Sequence, residues 1–220
     1  MKKIKRPRTK IYGFDPREAA RIETALLKAH FERDYVLLET LMAKLFEELY
    51  GLDATIAEKL AIKEIKAFGA HNEAENPDIS KKDKGIYWNQ VKELKQEYFH
   101  ILAEVLKKYG INLSTKEIDT LAELEEEWWE LHHIKDYEGV TNCKAKQNVI
   151  LFKLPLPTAR EVAEISVEAI KKYDTAKLLP TEENQPYWIE TEKAEIKFYN
   201  LFKGRTAKNI SKRLSSLFFI

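Results

Sequence analysis

Apolar residues recur every three to four positions along most of this chain, a period that restricts the fold to helices packed on one another. Between Asp15 and Gly51 the pattern continues for about ten turns. Asp15 followed by Pro16 is typical of a helix start, and Gly51 of a helix end. The repeating positions are Ile22, Leu26, Ala29, Val36, Leu37, Leu41, Leu45 and Leu49. We therefore expect one long first helix.

Three further amphipathic segments follow the first. The second helix should begin near Asp53, the third should cover about Tyr87–Tyr109, and the fourth should run from a capping box at Ser114 and Glu117 to Gly139. Only seven glycines and seven prolines occur in 220 residues, which also favours helix. The sequence predicts an all-α fold with an antiparallel, four-helix-type bundle over residues 16–138.

The regions on either side of the bundle differ from it. Residues 1–15 read as a basic flexible arm. Residues 139–157 break the helical pattern, and their "NVILFKL" segment is expected to be a short strand or an extended strap. Residues 158–220 should form a smaller, basic helical region, with one helix over about 159–173, a second through "PYWIETEKAEIKFYNLFKG" and a last short one after it.

The formal net charge is only +1, but the charge is unevenly distributed. Residues 1–15 carry +5, residues 16–138 carry −9, and residues 139–220 carry +5. Basic segments at both ends of an acidic body indicate binding to a polyanion.

Nucleic-acid binding through these basic ends is our leading hypothesis, because cations neutralise phosphates and the interleaved Phe198, Tyr199 and Phe202 offer rings for base stacking. A non-enzymatic viral or mobile-element DNA-handling protein would fit this pattern. The expected nucleic-acid contacts are Lys2, Lys3, Lys5, Arg6, Arg8, Lys10, Lys203, Arg205, Lys208, Lys212 and Arg213.

The chain ends in four apolar residues, Leu217, Phe218, Phe219 and Ile220. Such a segment either closes the protein's own core or inserts into a neighbour, so we expect self-association or a protein partner there. A protein-interaction scaffold without nucleic acid is a second possible function.

A metal-dependent enzyme is the alternative from a different class. Glu-x-x-His on a helix is the ligand unit of di-iron bundle proteins, and it occurs here as Glu97/His100 and Glu130/His133. Both pairs lie off the apolar stripes of their helices, which predicts that they face water. A Trp128–Trp129 pair adjoins the second. Trp128 is expected on the apolar stripe in the core, and Trp129 is expected to pack against residues 148–154 or a C-terminal helix.

A different set of candidate ligands follows from comparing the levels of residues along the axis of the bundle. Folding the helices back on one another brings His30, His71 and His133 to one end of the bundle, with Glu64 one turn further in. Imidazole and carboxylate ligands would suit Fe, Mn or Zn. Whether the protein is an enzyme stays open at this point.

Cysteine content and hydropathy indicate the cellular compartment in which the protein is expected. Cys143 is the single cysteine, so no internal disulfide can form, and an inert buried thiol is expected. No apolar run is long enough to span a bilayer, and the basic N-terminus has no apolar segment after it. We expect a cytoplasmic protein with no membrane contact.

Overall fold

The computed structural model describes residues 13–217, and for residues 181–182 and 210–217 it describes the backbone alone. These residues form eight α-helices and no strand, so the all-α prediction is confirmed. No helix in this range has an apolar stretch long enough to cross a membrane. The helices are α1 (Pro16–Glu32), α2 (Tyr35–Tyr50), α3 (Ala54–Glu75), α4 (Lys81–Lys107), α5 (Thr115–His133), α6 (Tyr137–Phe152), α7 (Leu156–Ala176) and α8 (Thr181–Leu217).

The predicted helix starts are confirmed where a side chain caps the first turn. The Asp15 carboxylate accepts from the Arg17 amide at 2.9 Å, and Asp53 accepts from the Ile56 amide at 3.1 Å. Ser114 and Glu117 form the expected capping box at the start of α5. Each cap satisfies an amide that the helix itself leaves without a partner.

The single helix expected over residues 15–50 is wrong, because the chain turns between α1 and α2. Arg33 adopts a left-handed conformation with φ of 58°, and the Asp34 side chain then caps α2 by accepting from the Leu37 amide at 3.0 Å. Val36 is 81% exposed, so its place in the apolar repeat does not reflect burial. The sequence period continued across the turn although the helix did not.

The strap or strand expected over residues 139–157 is also wrong, since most of this segment is α6. Gly139 lies in the first turn of α6, where its amide donates to the capping carboxylate of Asp136 at 3.0 Å. A β-carbon at Gly139 would lie 2.6 Å from Asp136 Oδ2 and 2.9 Å from Leu131 Cδ1. A larger residue would therefore have to displace the capping carboxylate or the Leu131 side chain, and Gly139 does not end a helix here.

The C-terminal segments join into one helix. The sequence predicted two helices separated near Gly204, but α8 runs through that position without interruption. Pro186 is its sixth residue, so the missing amide costs only one hydrogen bond close to the helix start.

The eight helices form a closed ring of contacts. Each helix packs mainly against the next in sequence, and α8 packs against α1. Phe14, just before α1, contacts Tyr199 and Phe202 of α8 with ring centroids 5.8 and 6.3 Å apart, and the Lys203 ammonium donates to the Phe14 carbonyl at 2.7 Å. One apolar core includes buried residues from the first and last helices alike. The ring encloses the candidate site.

Candidate ligand-binding site

A cavity of about 310 Å³ lies inside the ring and is lined by residues from all eight helices; we refer to it as the core cavity. Much of its wall is apolar, but six charged or amide side chains also face it. Polar groups in such a position are unusual because burial removes their hydration. They are Glu23, Glu64, Glu125, Lys144, Gln147 and Glu195.

One wall of the core cavity is built on a buried ion cluster of Lys95, Glu64 and Glu125, which we call the Lys95 cluster. The Lys95 ammonium lies 2.5 Å from Glu64 Oε1 and 3.1 Å from Glu125 Oε1, and its side chain is 1% exposed. Its ammonium also lies 4.4 Å from the ring centroid of Trp129, and Gln147 donates to Glu125 at 2.5 Å. The cluster thus connects α3, α4, α5 and α6.

The charges in this cluster shift one another's proton affinities. Burial lowers the pKa of Lys95, but Glu125 and Glu64 outweigh that effect and leave it above its ordinary value. Burial raises the pKa of Glu125, yet Lys95 and Lys144 bring it below its ordinary value. For Glu64 burial dominates, so its pKa is raised. Lys95 therefore stays protonated although it is almost fully buried.

A second polar feature of the core cavity, the Glu23–Glu195 pair, brings two carboxyl groups together from α1 and α8. Glu195 is only 5% exposed. Burial raises its pKa well above the ordinary value, and the adjacent Glu23 charge raises it further. Burial and the neighbouring carboxylate thus both favour the protonated form of Glu195.

Next to the core cavity lies a pocket of about 450 Å³, here called the histidine pocket. Five residues line both spaces: Leu27, Phe68, Trp128, Ile170 and Tyr173. The other residues that line it are His30, His71, Asn72, Trp129, His132, His133, Lys135 and Lys177. Aromatic rings and imidazoles therefore form most of its surface.

The rings of this pocket pack in an ordered series. Phe68 lies between His30 and Trp129, with centroids 5.2 and 5.1 Å apart and nearly parallel planes. The His71 ring meets Trp129 edge-on at 4.8 Å. Burial lowers the pKa of His71 to about 4 and also lowers that of His30. Both imidazoles are thus neutral near pH 7, and the buried His71 Nε2 and Trp129 Nε1 have no hydrogen-bond partner among the described residues.

The rim of the histidine pocket is held by Asp174 of α7. His132 Nε2, the Lys135 ammonium and the Tyr137 hydroxyl each lie 2.8 Å from Asp174 Oδ2, and the Lys177 ammonium lies 2.7 Å from Oδ1. Burial raises the pKa of Asp174, but these donors outweigh it and hold the pKa below its usual range. Among the described residues, the lining of the pocket includes the ammonium groups of Lys135 and Lys177 and no carboxylate, while Asp174 and Glu75, which pair with lining residues, lie outside the lining.

The structure brings together only part of the metal set expected from the sequence. His30, His71 and His133 do line one pocket, as the helix levels predicted. Glu64, however, binds Lys95, and His133 lies 3.2 Å from Glu75. Within residues 13–217, no three His, Cys, Asp or Glu side chains are arranged to hold a metal ion. The Fe, Mn or Zn site is therefore not supported, because packing and ion pairs separate its intended ligands.

The two Glu-x-x-His pairs are exposed, as predicted, although His133 also lines the edge of the histidine pocket. Glu97, His100, Glu130 and His133 are all exposed. Cys143 is buried, and burial raises the pKa of its thiol to about 12, with Glu127 adding to the shift. A thiol with so high a pKa forms little thiolate at neutral pH, which agrees with the expected inert side chain.

The residues expected to contact nucleic acid are only partly described. Lys2, Lys3, Lys5, Arg6, Arg8 and Lys10 lie outside the described residues, as do Phe218, Phe219 and Ile220 at the apolar end. The side chains of Lys212, Arg213 and Leu217 also lie outside the description. Arg205 pairs with Glu161 at 2.8 Å, and Lys203 binds the Phe14 carbonyl, whereas Lys208 is exposed.

Sequence reasoning missed Lys95, Glu125 and Glu195 as core residues, although a signal for them was present. Lys95 stands between Val91 and Tyr98 on the apolar stripe of α4. Glu195 is one turn from both Thr191 and Tyr199 on the buried face of α8. A charged residue at a position that the helical period assigns to the core signals a buried ion pair or a polar cavity.

Comparison with known proteins does not indicate a function for this chain. No family model, curated protein sequence or solved structure matches it. Its function has to be inferred from its own geometry.

Replacing Lys95 with Met should be strongly destabilising, because it leaves Glu64 and Glu125 buried without a cation. We expect a loss of about 3–5 kcal/mol in the free energy of unfolding, measured by urea denaturation. The triple variant Lys95→Met, Glu64→Gln, Glu125→Gln should recover most of that loss. Lys92→Met is the control, since its exposed pair with Glu123 should be worth less than about 1 kcal/mol. Equal effects of Lys95→Met and Lys92→Met would contradict the buried cluster.

Replacing Glu195 with Gln should change how stability depends on pH. Because the folded-state pKa of Glu195 lies above its ordinary value of 4.5, the folded protein binds more protons than the unfolded chain above about pH 4.5. Its contribution to stability therefore falls as the pH rises, by at most about 1.4 kcal/mol per pH unit. Urea denaturation between pH 5 and pH 8 should show a smaller decline in Glu195→Gln. The same decline in both proteins would mean that folding does not raise the pKa of Glu195.

Proposed function

We propose that this chain binds a small organic molecule whose planar aromatic part lies in the histidine pocket. The observation that carries the proposal is the pocket itself, a space of about 450 Å³ whose wall includes Phe68, Trp128, Trp129 and Tyr173. Cavities of several hundred cubic ångströms with aromatic walls and a few polar groups are the usual form of small-molecule sites.

The wall suits an aromatic ligand better than an aliphatic one. Trp128 is partly buried and lines both the pocket and the core cavity, so a ligand in the pocket can contact its ring, over which the Lys144 ammonium also lies. The neutral imidazoles of His30 and His71 add flat surfaces without a charge that must be desolvated. His71 Nε2 and Trp129 Nε1 lack hydrogen-bond partners among the described residues, and a ligand with a polar edge could satisfy them.

The rim favours a ligand with a negative substituent. Lys135 and Lys177 line the pocket, whereas the carboxylates that pair with lining residues, Asp174 and Glu75, lie outside the lining. A carboxylate or phosphate on a ligand in the pocket would therefore face ammonium groups and no carboxylate of the described lining. The proposed ligand is thus a planar aromatic acid.

Nucleic-acid binding by the basic ends is a separate proposal that the sequence motivates. Of its described cations, Lys203 and Arg205 already have partners in the protein, so the proposal depends mainly on residues 1–10, on Lys208, and on Lys212 and Arg213. It predicts an affinity for DNA or RNA that falls steeply with salt and that weakens when residues 1–10 are deleted. An affinity independent of salt would exclude it. We rank nucleic-acid binding below ligand binding in the histidine pocket, because the contacts of the described residues add no support beyond the uneven charge of the sequence.

Isothermal titration calorimetry with 2-naphthoate tests the pocket proposal. The probe should bind the full chain, and Trp128→Leu should weaken binding about tenfold, since stacking on one aromatic side chain is worth roughly 1–3 kcal/mol. Tyr187→Leu is the matched control, because Tyr187 is an exposed aromatic residue outside both pockets. Lys177→Met should reduce the preference for 2-naphthoate over the neutral 2-naphthalenemethanol.

An unchanged affinity in Trp128→Leu, or equal losses in Trp128→Leu and Tyr187→Leu, would contradict the placement of the ligand in the histidine pocket. Native mass spectrometry of the gently purified protein adds an independent readout, because a resident ligand would appear as a mass increment that Trp128→Leu loses.

A further inference from the structure

The Glu23–Glu195 pair differs from the other carboxylates of the core cavity in having no cation beside it. Glu64 and Glu125 both contact Lys95. Among the described side chains, neither Glu23 nor Glu195 forms a salt bridge, and the buried Glu23 Oε2 has no hydrogen-bond partner. A carboxyl group as buried as Glu195 normally has a cationic or donor partner, so the pair leaves an acceptor site unfilled.

The surroundings of the pair contain one distant cation and two hydroxyl groups. Glu23 raises the pKa of Tyr199 from α8, in part through a hydrogen bond with its hydroxyl group, and also raises that of Tyr50 from α2. The charge of Lys144 from α6 lowers the pKa of Glu195. The Lys144 ammonium itself lies over the Trp128 ring, 4.1 Å from its centroid, and not on either carboxyl group. Both glutamates line the core cavity, so a molecule in that space can reach them.

We propose that the Glu23–Glu195 pair binds the protonated amino group of a small molecule that lies in the core cavity. An ammonium group has three donors and no acceptor, which matches two carboxylates that have only acceptors to offer. The carbon skeleton of the ligand would contact the apolar wall that Leu26, Met42 and Phe46 supply.

Binding of an ammonium group should exchange a proton for the ligand. In the free protein the pair retains a proton, because burial and the Glu23 charge raise the pKa of Glu195. The positive charge of the ligand stabilises both carboxylates, so the shared proton leaves to solvent as the amine enters. The covalent structure of neither partner changes.

This inference goes beyond the aromatic site and does not require it. The two spaces share a wall that includes Phe68 and Trp128, so an aromatic amine could extend into both. An aliphatic amine has no ring to stack and reports on the carboxyl pair alone. Failure of 2-naphthoate and failure of an aliphatic amine are therefore separate results.

Calorimetric titration of the full chain with hexylamine at pH 7 tests the amine site, and 1-hexanol serves as the neutral probe of the same length. We expect hexylamine to bind at least about tenfold more tightly than 1-hexanol, since a charge-assisted hydrogen bond is worth roughly 1.5–3 kcal/mol. Titrations in phosphate and in Tris, which differ in ionisation enthalpy, should show the release of up to one proton per amine bound.

Two isosteric variants and one control assign the site. Glu195→Gln and Glu23→Gln should each weaken hexylamine at least about tenfold and reduce proton release. Both substitutions keep the shape and a hydrogen-bonding group at the position, so the variants should fold, and circular dichroism checks this. Glu190→Gln is the control, because Glu190 is exposed on the same helix and pairs with Lys193. Equal affinity for hexylamine and 1-hexanol, or unchanged hexylamine affinity in both Gln variants, would overturn the proposal.

Discussion

The buried ammonium of Lys95 is the interaction on which the rest of the structure depends. A charge removed from water in this way is tolerated only with close counter-charges, and Glu64 and Glu125 provide them from the two neighbouring helices. The three positions fix α3, α4 and α5 relative to one another, since sliding any helix by one turn would separate the charges. Gln147 extends the restraint to α6 through its bond to Glu125.

The same cluster helps explain why the interior contains cavities. Apolar side chains alone would pack the centre of an eight-helix ring densely. Here the walls include Glu23, Lys144 and Glu195, which bring polar groups to a place where dense apolar packing would leave them without partners. The aromatic rings of Phe68 and Trp129 then separate the Lys95 cluster from the histidine pocket. We infer ligand binding from two features, which are the polar groups that line the core cavity and the aromatic surface of the adjacent histidine pocket.

Much of the helical content could be predicted from the sequence because it rests on local physics. Caps at Asp15, Asp53 and Ser114 act within one turn, and apolar stripes placed Glu97 and His100 on the outside. The period of apolar residues did not predict the helix correctly where the interior of the protein is polar. In α6, Lys144 and Gln147 line the core cavity. Because these buried positions are polar, the sequence of α6 has no continuous apolar stripe and predicts a strap instead of a helix.

The candidate site was less predictable because it depends on contacts between distant segments. Comparing helix levels did bring His30, His71 and His133 to one place, but it could not show that Glu64 would bind Lys95 from α4 instead. The turn at Arg33 and Asp34 was missed because the apolar repeat continued by coincidence through the exposed Val36. Charged residues on apolar stripes were the overlooked signal, and they mark both the Lys95 cluster and the Glu23–Glu195 pair.

The most direct test of this account is the exchange of lysine ammonium protons, followed by nuclear magnetic resonance on protein labelled with ¹⁵N at lysine. A polar core built on Lys95 predicts one ammonium signal that persists at neutral pH while those of exposed lysines exchange with water, and that disappears in Lys95→Met. If every lysine ammonium exchanged as fast as that of the exposed Lys208, Lys95 would not be buried in an ion cluster. The central claim about the core would then be wrong.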